Sequence, residues 1–253
     1  MATSFRLWEL DHRCLKVLTY PLEDVLIARR RLVELAQLGV YSLVFEGPVD
    51  LWGVRVVAKG TTSVVIRGFH TLGEVAVKVR RLDANRPTLI YEARRLKLAN
   101  SVNVGPRLIA SSRNFLLWEF VEGEPLAEWI LKAGPESVKL AVRRLLGQAV
   151  RLDMIGLVHQ ELSRVKKHVL VTKEAEPVIF DFETASLESR RSNLTQLVQF
   201  LFIRESEVAR RVRDVFDVTR DEVLRAVRRY KRDRSPNPLR ELALLNHSTN
   251  IHR

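Results

Sequence analysis

The run Glu74-Val75-Ala76-Val77-Lys78-Val79 alternates like a strand, and Lys78 is the one cation within it. An ammonium buried without a counter-ion is costly, so Lys78 either points to solvent or has a partner. Glu92 is the natural partner. It lies three residues after Leu89 and four before Leu96, on the apolar stripe of a helix expected over Arg86–Val102. The alternative is two independent surface charges. A second carboxylate, Asp181, ends the apolar run Val178-Ile179-Phe180, where it could hold a divalent cation by oxygen or simply start a turn. A third, Glu161, follows His159 in Gly156-Leu157-Val158-His159-Gln160-Glu161, just after an apolar helix. Small residues gather at Ala58-Lys59-Gly60-Thr61-Thr62-Ser63 between two strand-like runs. There backbone N–H groups could approach a phosphate, or the segment is an ordinary hairpin turn.

These residues need a frame. Pro21 to Val40 reads as a helix, with Pro21 in its first turn, Glu23 and Asp24 at its positive end and Gly39 as its stop. From Tyr41 to about Val79 the chain is β-branched and punctuated by glycine, the pattern of an antiparallel meander. Two strands joined at Ser111–Asn114 follow the Glu92 helix. After Gly123 the character becomes helical, with one hairpin over Lys167–Glu183 and helical segments from Leu194 onward. The expected fold class is α+β and bilobal, with a ligand cleft between the lobes. Its parts are an N-terminal extension (1–50) packing on or regulating the N-lobe, a strand-rich N-lobe (51–122) and a helical C-lobe (123–253).

The formal net charge of the 253 residues is +12, which suggests an anionic partner or an Arg-rich solvated surface. Basic helices after Arg204, such as Val223–Asp233, are the candidate contact for RNA or a ribonucleoprotein. A single cysteine, Cys14, excludes an internal disulfide and a zinc–thiolate cluster. No apolar run reaches the length of a membrane span, and the N-terminus lacks the order of a signal peptide. The expectation is a soluble, cytoplasmic protein with no membrane contact.

Helix, loop with carboxylate, short hairpin and second carboxylate occur in the order of a kinase C-lobe. From about Leu51 to Leu201 the chain resembles the protein-kinase-like superfamily. It is most similar to small atypical archaeal kinases predicted to act on Ser/Thr, neighbours of the RIO kinases and of the KEOPS-complex kinase. The resemblance implies ATP with Mg²⁺ or Mn²⁺ as cofactors and a protein as the acceptor substrate. It places Ala58, Gly60, Thr61, Thr62 and Ser63 over the phosphates, and Val65 and Ala76 against adenine. Lys78 would meet the α- and β-phosphates, held by Glu92. In Leu116-Leu117-Trp118-Glu119-Phe120-Val121, Trp118 would be the gatekeeper and the Glu119–Val121 backbone would meet adenine. Glu161 takes the catalytic aspartate position in His159-Gln160-Glu161-Leu162-Ser163, and Asp181 the metal-binding aspartate in Asp181-Phe182-Glu183. The position of the usual metal-binding asparagine is Lys166, a candidate phosphate contact. His168 takes the asparagine's place only if two residues are inserted, and would then join the metal site. Two other readings remain open on the same residues. One is a nucleotide-binding pseudokinase or slow ATPase docking on RNA; the other is a small-molecule kinase.

Overall fold

The computed structural model describes residues 3–233 and 237–245, without the side chains of Thr3, Arg164, Lys166, Lys167 and Pro238. The class is mixed α+β with antiparallel sheets. The chain forms two compact units, residues 1–97 with 106–121, and 98–105 with 122–253.

The first unit is built on one sheet. In chain order its elements are β1 (Thr3–Arg6), α1 (His12–Val17), α2 (Val25–Gln37), β2 (Val40–Phe45), β3 (Val49–Leu51), β4 (Val54–Val56), β5 (Ala58–Lys59), β6 (Ser63–His70), β7 (Gly73–Arg80), α3 (Ile90–Asn100), β8 (Leu108–Ser111) and β9 (Phe115–Glu119). The end of α3 passes into the second unit. The strand order is β1-β2-β6-β7-β9-β8, with β5 pairing β6. This is not the sequential meander expected from the β-branched runs. Strands β3 and β4 fold back on each other as a separate hairpin, which leaves β2 to pair with β6.

Alternation along the sheet decides which residues enter the core. Val64, Ile66, Val75, Val77, Val79, Phe115 and Leu117 pack in one cluster with Leu7, Cys14, Val17, Leu32 and Leu35. The segment before residue 50 therefore belongs to the same unit. It supplies two strands of the sheet, β1 and β2, and much of the cover over one sheet face. Helix α2 starts at Val25, later than expected, because Asp24 is the N-cap and accepts from the Ile27 N–H at 2.8 Å. Pro21 consequently lies before the helix rather than in its first turn. Gly39 does end it, at φ +85°, a conformation that favours glycine.

The second unit contains β10 (Glu124–Pro125), α4 (Leu126–Lys132), α5 (Pro135–Met154), β11 (Val169–Val171), β12 (Pro177–Ile179), α6 (Asn193–Val198), α7 (Glu207–Phe216), α8 (Arg220–Asp233) and α9 (Asn237–Glu241). Val138, Ala141, Val142, Leu145, Leu146, Ala149 and Leu152 are buried along α5, at helical spacing. The hairpin β11–β12 gains β10 as a third strand. Gly123 permits that approach, since a Cβ there would lie 2.7 Å from the Val171 carbonyl oxygen. The continuous helix expected from Leu194 is instead broken. A π-helical turn follows α6 over Gln199–Ile203, and Ser206 caps α7 by accepting from the Ala209 N–H. No helix of the described residues is long and apolar enough to cross a membrane.

Candidate functional site

Lys78 sits on the sheet face opposite to Val75, Val77 and Val79. In register it lies between Val65 of β6 and Leu116 of β9, while Ala76 lies beside Trp118. Lys78 Nζ donates to Glu92 Oε1 of α3 at 2.8 Å, and the two side chains are 7% and 5% exposed. The carboxylate on the stripe of Leu89, Ala93 and Leu96 thus meets the strand lysine; all three stripe residues are buried. Such a pair does little for net stability, because desolvation offsets the attraction.

The small-residue turn joins β5 to β6. The Gly60 N–H donates to the Ser63 carbonyl at 2.8 Å, and Arg81 binds the turn from behind through the Gly60 and Thr62 carbonyls. The Gly60 amide is thus committed inside the turn. The Thr61 amide, on an exposed residue, has no partner among the described residues. Ser63 and Thr62 are buried. A Cβ on Gly60 would meet nothing closer than 3.7 Å, so the turn itself does not demand glycine. Beyond β9, the Glu119 amide donates to the Arg107 carbonyl and the Phe120 amide to the Glu74 carbonyl. The Val121 amide has no partner among the described residues.

In the second unit a loop and a hairpin bring three titratable groups together. His168 caps the end of the 3-10 helix Leu162–Lys167 that follows Glu161, and its carbonyl accepts from the Phe180 N–H at 2.8 Å, just before Asp181. His168 Nε2 lies 3.9 Å from Glu161 Oε2, and its Nδ1 lies 3.6 Å from Asp181 Oδ2. One ligand atom from each of Glu161, His168 and Asp181 lies within 4.8 Å of the others. His168 is buried, while the two carboxylates are about one-third exposed, at 30% and 37%. Asp181 adopts φ +67°, ψ +66°, a left-handed conformation that Asp tolerates better than most residues. Thr184 Oγ1 donates to Glu161 Oε2 at 3.5 Å. The Lys166 side chain lies outside the described residues.

Behind this cluster is a polar frame that the sequence reading missed. Asn193, fully buried, accepts from the His159 N–H at 2.8 Å and donates to the Leu157 carbonyl and Asp153 Oδ1. Asp153 also accepts from the Ser192 hydroxyl, the Asn193 and Leu194 amides and the Tyr230 hydroxyl. The frame holds the His159–Glu161 loop to α6. His159 Nε2 donates to the Phe180 carbonyl at 2.8 Å, and its ring stacks edgewise on His168 and Phe182. Burial holds its pKa below the ordinary histidine value, so the imidazole is neutral at pH 7. The only sequence signal for the frame was Ser192-Asn193, a helix start after a polar stretch. Its link to Asp153, 40 residues earlier, is a tertiary fact.

The sequence-derived residues therefore fall into two sets. Lys78 and Glu92 meet, with Val65, Ala76 and Trp118 on the same sheet face. Glu161, His168 and Asp181 meet in the second unit. No family model matches the chain. The uncharacterized protein MJ1211 of Methanocaldococcus jannaschii is 28% identical over 105 residues, which is 42% of this chain and 88% of that protein.

Proposed function

We propose that the chain is an ATP-dependent phosphotransferase with a bilobal protein-kinase-like fold, transferring the γ-phosphoryl group to a Ser/Thr hydroxyl of a protein. The observation that carries the reading is the buried Lys78–Glu92 pair, set beside Val65, Ala76, Leu116 and Trp118 on one sheet face. A buried ion pair is a poor device for stability, and a phosphate-binding lysine held in place is a reason to keep one. Three further features support it. Gly60 has no steric reason within its turn, so its small size suits close approach of a ligand. The Thr61 and Val121 amides have no partner among the described residues and can donate to a ligand's oxygen or ring nitrogen. Asp181 stands beside His168 and Glu161 as donors for a divalent cation.

In this reading the Ala58–Ser63 turn covers the phosphates, and Lys78 neutralises charge on the α- and β-phosphates. Val65 and Ala76 bear on adenine, Trp118 bounds its pocket, and Val121 supplies the hinge hydrogen bond. Asp181 and His168 fit Mg²⁺ or Mn²⁺, which would screen the phosphate charges. Glu161 orients the acceptor hydroxyl and accepts its proton late. Catalysis by such a set is mostly positioning and charge stabilisation. The test is transfer of labelled phosphate from ATP to a generic protein substrate. Wild type should exceed Lys78→Ala and Asp181→Ala by at least about 100-fold, and equal transfer by all three overturns the reading.

A second reading is favoured by one observation. Arg220, Arg225, Arg228, Arg229, Lys231 and Arg232 occupy the exposed half of α8, opposite the buried Val223, Ala226 and Tyr230. Arg225, Arg228 and Lys231 form no ion pair among the described residues. This suits a nucleotide-binding scaffold or slow ATPase that docks on RNA. Salt-sensitive RNA retention without phosphotransfer would select it.

A further inference from the structure

We propose that Trp52 and Tyr20, with Lys59 and Arg81, form a docking site for single-stranded nucleic acid, in which an unpaired base stacks on the Trp52 indole and a backbone phosphate meets Lys59. All four residues belong to the first unit. The site is separate from α8, which lies in the second unit, and from the sheet face of Lys78. Lys59 pairs in register with Val64, and Val64 with Val79, both members of the core cluster, whereas Ala58, Val65 and Lys78 share the opposite face.

Trp52 opens the two-residue loop of the β3–β4 hairpin at φ +55°, and Gly53 completes it at φ +82°. A hairpin loop with positive φ at both positions ordinarily takes Asn, Asp or Gly at the first. A bulky side chain there is uncommon and costs conformational energy. Burial does not offset that cost, because Trp52 is 46% exposed. The indole lies against Tyr20, with ring centroids 4.9 Å apart and 45° between the planes. Tyr20 in turn packs on the core cluster, and its carbonyl accepts from the Leu82 N–H at 3.0 Å. The indole is thus supported before a ligand arrives, which lowers the ordering cost of binding.

The charges beside the rings suit a polyanion. Lys59 Nζ and Arg81 Cζ lie 5.1 and 4.9 Å from the Tyr20 ring centroid. Arg81 is engaged by both oxygens of Asp83, at 2.9 and 2.6 Å, and by the Gly60 carbonyl, so it braces Tyr20. Asp50 and Arg55 face each other across the hairpin. These two pairs offset each other's charge, and the exposed Lys59 remains as the surplus cation. An open aromatic face beside a cation holds a base and its phosphate with little regard to sequence. Neither contact reads the sugar.

The test uses neither ATP nor metal, so its outcome leaves phosphotransfer to its own experiment. Full-length protein is titrated against a labelled oligouridine of about 12 nucleotides, its deoxy counterpart and an abasic strand of the same length, with fluorescence anisotropy as the readout. The ribose and deoxyribose strands should bind alike. Trp52→Asn should weaken both by at least about tenfold, while the fold becomes no less stable in urea, since Asn suits the loop. A purely structural tryptophan would not show that split. Trp52→Tyr should keep most of the affinity. Lys59→Gln should reduce the slope of log affinity against log salt by about 0.7. On the abasic strand Trp52→Asn should change nothing, because no base is there to stack. If Trp52→Asn loses the wild-type circular dichroism, Lys59→Gln, on an exposed side chain, decides through the slope. No binding of oligouridine overturns the proposal and leaves the tryptophan to some protein contact. Binding that Trp52→Asn leaves unmoved, or weakens equally on the abasic strand, overturns it as well.

Discussion

Lys78 Nζ and Glu92 Oε1 lie 2.8 Å apart, one on a central strand and the other on the apolar stripe of a helix, both buried. Removing either partner takes from the other its buried counter-charge at 2.8 Å. Lys78→Ala or Glu92→Ala should destabilise the chain by about 3–5 kcal/mol. The double variant Lys78→Met/Glu92→Leu should recover most of that loss, since two apolar side chains of similar size refill the space. Urea unfolding of the single and double variants measures the cycle. If the lysine serves a nucleotide, the double variant regains stability but not the thermal shift that ATP with Mn²⁺ gives wild type.

That pair was legible because a lone cation in an apolar strand and a lone acid on an apolar helix stripe are conspicuous against period 2 and period 3.6. The register of Leu89, Ala93 and Leu96 was legible for the same reason. Strand order was not, since β2 skips β3 and β4 to reach β6 and no local pattern records a pairing choice. The late start of α2 came from a cap, Asp24, that outweighed the expectation placed on Pro21. His168 could be placed beside Glu161 and Asp181 only through resemblance, because spacing alone does not fix an insertion. Asp153 and Asn193 could not be found, since their partners, backbone and side chain alike, lie far along the chain.

Asn193 carries three hydrogen bonds to buried or part-buried groups, one of them from the His159 amide. Asn193→Ala should cost about 3 kcal/mol, because the Leu157 carbonyl and His159 amide would be left without partners. Chemical denaturation gives that loss. Asn193→Asp should fall short of rescue: a carboxylate replaces the donor that faced Asp153 and brings a second negative charge to it.

Burial raises the Cys14 thiol from its ordinary value of 9.0 to about 12, with Asp11 adding to the shift. The thiolate is the reactive form, so at pH 8 ionisation alone should slow native-state reaction about 1,000-fold relative to the unfolded chain. An aromatic disulfide reagent with and without denaturant reads this directly. The sign of the linkage follows. The folded form holds its proton more tightly, so the stabilisation is complete below pH 9 and is lost as pH rises toward 12. Cys14→Ala should flatten that alkaline slope.

The exposed arc of α8 makes a prediction that separates nucleic-acid contact from mere solvation. If Arg225, Arg228 and Lys231 touch RNA phosphates, the slope of log affinity against log salt should shrink by about 0.7 for each one replaced by Gln. Fluorescence anisotropy with a labelled single strand at several salt concentrations measures it. Affinity that falls without a change of slope would point to lost folding instead, and no change at all would remove α8 from the interface.

Two glycines should respond in opposite ways to the same methyl group. At Gly123 a Cβ would lie 2.7 Å from the Val171 carbonyl oxygen, and both belong to the second unit. Backbone cannot yield there without opening the β10–β11 pairing, so Gly123→Ala should lose about 1–3 kcal/mol in unfolding experiments. At Gly60 the nearest atom is 3.7 Å away and the backbone needs no positive φ. Gly60→Ala should therefore change stability by no more than about 0.5 kcal/mol. Any loss it produces must be a loss of ligand approach, read as a smaller thermal shift with ATP. Unchanged stability together with an unchanged shift would mean that the turn never meets a phosphate, and the small residues there would be only a way of joining β5 to β6.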